Sequence, residues 1–432
     1  MRRTLNVYLC GEKTGVLAED GNANLSFLYD PAVLKKPGAP QPLSVRLPVR
    51  EGAYHHQYAY PFFENLTPEG RPLEIIANKL RISENNPFSI LDKIGGDCAG
   101  AVALYEGEKP SGSDEPLRAI SEKDMARIIH ALPDNPLLTG MRNPPRLSLA
   151  GAQYKFAVCM GAGETFFSPN DEYPSTHIIK IGNDSYKNLL HNELFCMLLA
   201  QDAGLPVPPV SLRAAKGSLY LNIARYDRHI APAALAALAA PSDERIYKAE
   251  RIHQEDFCLA LGYPSGKKYQ ADGGPDLRKC FQAITQYSHH KITDIFSFIQ
   301  WITFNYLIGN ADTHAKNISF LHKNNRVILA PFYDLLSTEI YPPRLASRKI
   351  AMLINGKYQY DTIKQKDFPE LYRQFGLNPL QTMKNASRFF THFAEKTNSL
   401  KDRLNADRLT ASPVYDAIFD LIKQRLSVLT AL

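Results

Sequence analysis

Asn310-Ala311-Asp312-Thr313-His314-Ala315-Lys316-Asn317, with Phe332-Tyr333-Asp334 downstream, is the stretch on which the reading of this chain turns. It sets an Asp, an Asn five positions on and a second Asp in one order. Phosphoryl transfer from a magnesium nucleotide uses such a set. The first Asp accepts the proton of the attacking hydroxyl, the Asn holds magnesium, and the second Asp joins metal to nucleotide. Asp312, Asn317 and Asp334 are the candidates for those roles. Taken singly, each is as readily a turn residue that bonds its own backbone. Their setting separates the two readings. Residues 295–308 are an almost wholly apolar run of helical length that ends at Gly309, so the polar loop leaves a buried element. Residues 318–321 and 326–329 are short apolar runs around Asn324-Asn325, a hairpin pattern that would return the chain to Asp334.

Such chemistry also needs a phosphate cradle and a lysine. Residues 147–155, Leu-Ser-Leu-Ala-Gly-Ala-Gln-Tyr-Lys, supply small residues before a strand at 155–159. With one glycine this is a weak motif, equally a small-residue turn. Met160-Gly161-Ala162-Gly163 fits the turn of a hairpin. Lys180 lies in an apolar strand at 176–181, where a cation points toward an anion unless its stem snorkels to solvent. Residues 187–200 have helical spacing with Glu193 near the start, so a Lys180–Glu193 pair is expected, against the alternative of a plain first-turn acid. The strand at 219–226 then leads through Ala224, Arg225 and Tyr226 into Asp227-Arg228, the natural hinge, where a nucleobase would bond to backbone. His314 and Lys316 lie between base and metal ligand. Bracing of the loop is the plain reading, and a phosphate contact by Lys316 the sharper one.

The chain has 432 residues, 44% hydrophobic and 22% charged, enough for two or three globular units. A net charge of +6 suits an anionic partner without requiring one. The six cysteines show no short paired spacing, so no zinc site or disulfide frame is expected. The apolar start breaks at Cys10-Gly11-Glu12-Lys13, too early for a signal peptide, and no run has membrane length, so a cytoplasmic protein without membrane partners is expected. A first unit spans 1–105, with strands near 5–9, 25–29 and 43–48 and helices near 73–80 and 89–94. A linker and connecting helix fill 106–146, nucleotide-binding strands and hinge 147–228, and a helical lobe 229–432 with the catalytic loop at 309–317 and the metal-binding segment at 332–335. The alanine-rich run 233–240 reads as a short packed helix. The segments 391–396 and 415–422 read as amphipathic helices.

Taken in order, Ser148 through Gln153 with Lys155, His177 through Lys180, Asn192-Glu193, Tyr226-Asp227-Arg228, Gln254-Glu255-Asp256, Asp272 through Pro275, Asp312 through Asn317 and Phe332-Tyr333-Asp334 resemble the HipA family of serine/threonine kinases, the toxins of bacterial toxin–antitoxin pairs. Residues 61–70 resemble the family's amino-terminal subdomain. The resemblance implies an α+β, two-lobed protein-kinase-like fold with a β-rich N-terminal subdomain and a mainly helical C-terminal lobe. It implies Asp312 as general base, Asn317 and Asp334 as Mg2+ ligands, and Lys180, oriented by Glu193, on the phosphates of ATP. It implies nucleotide contacts by Ala150, Gly151, Ala152, Gln153, Tyr154, Lys155, Ala224, Arg225, Tyr226, His314, Ala315, Lys316, Asn317, Tyr333 and Asp334, and autophosphorylation of Ser148 as an off switch. Its implied partners are a HipB-like helix-turn-helix antitoxin, operator DNA through that complex, and a protein substrate such as an aminoacyl-tRNA synthetase, glutamyl-tRNA synthetase among them, with growth arrest and persistence as the outcome. The chain departs from the family pattern at Tyr154 and Ala224, where acidic residues are common. The competing expectations are a small-molecule phosphotransferase, which shares the Asp-to-Asn spacing, and a catalytically idle corepressor module.

Overall fold

The computed structural model describes residues 3–110, 117–139, 153–170, 172–230 and 249–430. Ser148, Ala150, Gly151, Ala152 and the alanine run 233–240 lie outside the described residues.

The first unit is an antiparallel sheet of β1 (Arg3–Leu9), β2 (Glu12–Glu19), β3 (Leu25–Tyr29) and β4 (Val102–Tyr105), in the order β3-β2-β1-β4. Alternation along β1 buries Leu5, Val7 and Leu9 with Phe27 and Tyr29. Phe62 and Phe63 of the helix His56–Glu64 and Phe88 and Leu91 of the helix Pro87–Ile94 complete that core. The strand expected at 43–48 is not formed. Its backbone groups bond to side chains instead of a ladder: Leu43 N donates to the Tyr29 hydroxyl (2.8 Å), that hydroxyl donates to Leu47 O, and Val45 N donates to Glu255 Oε1 (3.0 Å). Pro42 and Pro48, which cannot donate to a ladder, bracket the segment.

The second unit is a six-stranded antiparallel sheet. It comprises β5 (Ala119–Ile120), β6 (Lys155–Met160), β7 (Phe166–Phe167), β8 (His177–Ile181), β9 (Val210–Ala215) and β10 (Ser218–Ala224), in the order β5-β7-β6-β8-β10-β9. Met125 and Ile128 of the helix Glu122–Ala131 cover one face with Phe156, Ile179 and Tyr220, so this helix is a layer of the sheet rather than a free connector. The helix Leu189–Ala203 covers the other face through Leu194 and Leu199, against Leu212 and Leu221.

The helical lobe is centred on Lys291–Ile308, whose second half, Trp301 to Ile308, is buried on all sides by surrounding elements. Trp301 stacks between Phe298 and Phe332, at 5.8 Å from each ring. The short pair β11 (Arg228–Ile230) and β12 (Ala249–Arg251) leads to β13 (His253–Asp256), which pairs with the hairpin of β14 (Ser319–Lys323) and β15 (Arg326–Leu329). Asn324 and Asn325 turn that hairpin at φ of 52° and 58°, the left-handed pair a two-residue turn requires. The helix Val414–Thr430 includes the segment 415–422 read from sequence, whereas 391–396 spans a break, with Thr391 capping the helix Pro379–Phe390 and His392 turning at φ 59° into Phe393–Asn405.

The first unit docks onto this lobe through buried polar contacts. Glu255 accepts from Ser44 Oγ (2.6 Å) and Val45 N and lies 2.7 Å from His322 Nε2, and Gly100 N donates to Asp227 Oδ2 (2.9 Å). Asp227 receives a two-pronged guanidinium from Arg225 (2.9 and 2.7 Å), while Asp97 pairs with Arg228 and Arg251.

Candidate active site

Gly309 ends the central helix at φ +65°, where a Cβ would stand 2.6 Å from Leu421 Cδ2 and 2.8 Å from Glu339 Oε2. Only glycine meets both the left-handed turn and the close approach. The loop that follows is fastened at each step. Asn310 Nδ2 donates to Asn305 Oδ1 (2.9 Å), the Tyr360 hydroxyl to Asn310 O (2.6 Å), and Ala311 N to Thr338 Oγ1 (2.7 Å). Asn317 Nδ2 then donates to Asp312 O (2.8 Å), closing the loop across the Asp-to-Asn spacing. This bond orients the amide and turns Asn317 Oδ1 away as an acceptor. The Asp312 side chain is 50% exposed. Its Oδ1 accepts from the Tyr269 hydroxyl (2.8 Å).

Asp334 follows Phe332, which is anchored under Trp301, and adopts φ +53°, uncommon for a residue with a Cβ and a feature that clusters at functional sites. Asn310 Nδ2 lies 3.4 Å from Asp334 O, so the two segments adjoin. Asp334 Oδ1 pairs with the Lys180 ammonium, which pairs also with Glu193 Oε1. Lys180 and Glu193 are almost sealed, whereas the Asp334 side chain is 32% exposed. Burial alone would push the Lys180 ammonium down, but the Asp334 and Glu193 carboxylates outweigh it and hold it above its ordinary range. Burial pushes Glu193 up despite that lysine, while Lys180 and Lys155 overcome burial at Asp334 and bring it down to about 2. Lys155 stands directly opposite Lys180 in the β6–β8 register. Burial pushes its ammonium down, offset by Asp334, with Lys180 adding repulsion.

At the hinge two backbone amides are already engaged. Ala224 N donates to Pro209 O and Arg225 N to Thr176 O (2.9 Å each), so a nucleobase here must use carbonyls or the Tyr226 amide. The Arg225 side chain is buried against Asp227. Tyr226 stacks on Tyr333 at 5.5 Å and 22° and donates its hydroxyl to Gln254 Oε1 (2.5 Å). The Tyr333 hydroxyl donates to Lys316 O (2.6 Å), so this ring ties hinge to catalytic loop.

The phosphate contact expected of Lys316 is corrected. Its buried ammonium is held by Asn65 Oδ1 (2.6 Å), Asp256 Oδ2 (3.2 Å) and Glu69 Oε1 (3.4 Å), which makes it a brace of the loop. His314 is buried with its ring edge-on to Tyr269 at 5.2 Å. Ala315 is fully buried in core. Gln153 Nε2 and the Tyr154 hydroxyl are buried without a partner among the described residues. Tyr269, Asn65, Glu69 and Asp256 are the site residues that sequence reasoning passed over in these roles. Asn65 and Glu69 lie in the stretch 61–70 and Asp256 in Gln254-Glu255-Asp256, but nothing in the sequence pairs them with Lys316.

Oxygen donors suit a hard cation, and the candidates here are the Asp334 carboxylate, the Asn317 amide oxygen and the half-exposed Asp312 carboxylate. A carboxylate has room for a metal beside an ammonium, so Asp334 can keep Lys180 while holding one. Among the described residues no cluster of three or more His, Cys, Asp or Glu is placed to hold a metal ion. No helix among them is long and apolar enough to cross a membrane. The six cysteines are free thiols, five of them buried.

The profile of the HipA N-terminal domain matches residues 5–105, and that of the HipA-like C-terminal domain matches residues 147–400. A putative kinase of Sinorhizobium fredii, Y4mE, is 37% identical over 354 residues, 80% of each chain. The serine/threonine-protein kinase toxin HipA of Shewanella oneidensis is 29% identical over 376 residues, 83% of this chain and 80% of that one. A chain of the solved Shewanella oneidensis complex of HipA, HipB and operator DNA superposes with a TM-score of 0.79 at 25% identity, covering 99% of this chain and 96% of its own. With both family domains in order and the two-lobed architecture shared end to end, this chain belongs to the HipA family of kinase toxins.

Proposed function

We propose that the chain is an ATP-dependent serine/threonine protein kinase that acts as the toxin of a toxin–antitoxin pair. The observation that carries this reading is the Lys180 ammonium shared by Glu193 and Asp334, beside a loop that presents Asp312 outward and Asn317 Oδ1 free of its own backbone. Asp312 accepts the proton as the substrate hydroxyl attacks the γ-phosphorus, and Lys180 neutralises phosphate oxygens at the opposite side. Bound magnesium supplies further charge neutralisation on the phosphates, and Asn317 and Asp334 are the groups that would hold it. The Tyr226–Tyr333 stack gives an aromatic wall at the hinge for the nucleobase.

Regulation follows the family resemblance. Ser148 is the autophosphorylation site, and a phosphate there, with roughly −1.5 to −2 charges, could not share a cradle with nucleotide phosphates. The antitoxin is a HipB-like helix-turn-helix protein that carries the complex to operator DNA, in line with the Shewanella oneidensis complex. The acceptor is a translation factor such as glutamyl-tRNA synthetase, and the protein works in the cytoplasm.

The test is incubation of the purified chain with Mg-ATP followed by intact-mass analysis, alongside an ADP-release screen of proteins and metabolites. A single added phosphate mapping to Ser148, with ADP release on a protein acceptor, is the expected result. ADP release on metabolites alone assigns a small-molecule phosphotransferase, and failure to bind Mg-ATP assigns an idle corepressor.

A further inference from the structure

The segment 61–70 of the N-terminal unit takes no part in the chemistry just described, yet it reaches the back of the catalytic loop. Asn65 is 1% exposed and doubly tethered, its Nδ2 donating to Pro61 O (2.7 Å) and Tyr263 O (2.8 Å). Its Oδ1 and O face the Lys316 ammonium at 2.6 and 3.4 Å. Glu69 divides its carboxylate between two lysines, Oε1 toward Lys316 (3.4 Å) and Oε2 toward Lys268 (2.8 Å). Each lysine precedes a residue that grips Asp312. Lys268 precedes Tyr269, whose hydroxyl holds Asp312 Oδ1, and Lys316 precedes Asn317, whose amide holds Asp312 O. One carboxylate from another unit thus adjoins both supports of the general base.

We propose that Asn65 and Glu69 are positioning residues for phosphoryl transfer, setting Asp312 and Asn317 through Lys316 and the Lys268-Tyr269 segment, so that the catalytic loop is complete only with the N-terminal unit seated. The proposal rests on the kinase reading above. Its physical basis is that a displacement of about 1 Å at a reacting group can cost 10²-fold in rate, and that such groups stay in place only when locked by surrounding bonds. Buried ammonium groups held by fixed carboxylates provide that lock, because water cannot replace a lost partner there.

The test uses the full-length chain, steady-state ADP release and calorimetric Mg-ATP binding, with circular dichroism as the check of folding. Glu69→Gln and Asn65→Ala are expected to lower kcat by about 10- to 100-fold, with a smaller loss of Mg-ATP affinity, since neither touches nucleotide and only Asn317 links them to it. Tyr269→Phe added to Glu69→Gln is expected to cost little more than the slower single variant, because both act on the placement of Asp312. Lys268→Met, which leaves Lys316 its acceptors, stands in where Glu69→Gln does not fold. Unchanged kcat, a loss confined to Mg-ATP affinity, or independent losses in the double variant would each overturn the inference. A parent chain without phosphoryl transfer to any acceptor overturns the kinase reading itself.

Discussion

Lys180 and Lys316 are both buried ammonium groups set between carboxylates, and they differ in what seals them. Around Lys316 every acceptor is interior: the Glu69 and Asp256 side chains are 12% and 10% exposed. Around Lys180 one partner is interior, Glu193 at 1%, and the other, Asp334, is 32% exposed. A sealed cluster has nothing to exchange with solvent, so it acts as a brace. An ammonium whose one partner is open to solvent can share that partner with a cation and still meet a phosphate oxygen. The titration of the acids does not follow this division, because at each lysine one acid is lowered and one raised. Glu69 comes down to about 2, since Lys316 and Lys268 overcome the upward push of burial. Asp334 likewise comes down to about 2, whereas burial raises Glu193 despite Lys180 and Lys155, and raises Asp256 despite Lys316.

Replacing each lysine by methionine gives the widest separation. Lys180→Met is expected to lower turnover by roughly 10²–10³, the scale for removing a preorganised charge from a transition state, while losing little stability because Glu193 can take up a proton. Lys316→Met is expected to lower stability by about 3–5 kcal/mol, as it leaves the interior Asp256 carboxylate without a cation and Glu69 with Lys268 alone. Urea denaturation paired with single-turnover kinetics on both variants checks the contrast. A Lys316→Met chain that unfolds like the parent would dissolve the distinction between brace and site.

The seam behind Lys316 can be strained from farther away. Gly100, at φ +68°, lies against the strand of Gln254 so closely that a Cβ would stand 2.6 Å from Gln254 N. Gly100→Ala therefore faces both a left-handed backbone and a backbone clash, at an expected cost of about 1–3 kcal/mol. The contrast with Lys180 sharpens if proteolysis of this variant begins within 5–105 while Mg-ATP binding persists. Cleavage starting in the nucleotide-binding sheet would count against the seam.

What sequence could and could not deliver follows the same division. The Asp312-to-Asn317 loop is local, and the apolar run before it marks where it leaves the core, so its place was legible from spacing and composition. The Lys180–Glu193 pair joins a strand to the next helix, a short connection that pattern alone can bridge. Lys316 meets Asn65 across 251 positions of chain, and nothing in either segment encodes the other. Its partners depend on how two separately folded layers dock, which hydrophobic periodicity does not report. The missing strand at 43–48 has the same cause. Glu255, from the helical lobe, captures the Ser44 hydroxyl and the Val45 amide that a strand would have used in its ladder.

The smallest effect is a pH window. Glu69 faces Lys316, Lys268 and His314, and its folded value of about 2 lies below the ordinary 4.5. A depressed carboxylate binds fewer protons in the folded chain than in the unfolded one, so its contribution is complete above pH 4.5 and declines as pH falls toward 2. Between pH 7 and pH 4 the loss is about 1 kcal/mol. Glu69→Gln has no such carboxylate, so the gap in stability between parent and variant is expected to narrow by that amount over this interval, read from urea midpoints at the two pH values. Carboxylates remote from Glu69 titrate in both proteins alike and cancel from the gap, and Asp256, which Glu69 helps to raise, comes down in the variant. A gap that stays constant from pH 7 to pH 4 would mean that Glu69 carries no charge-dependent share of the brace, leaving Asn65 and Asp256 to hold Lys316.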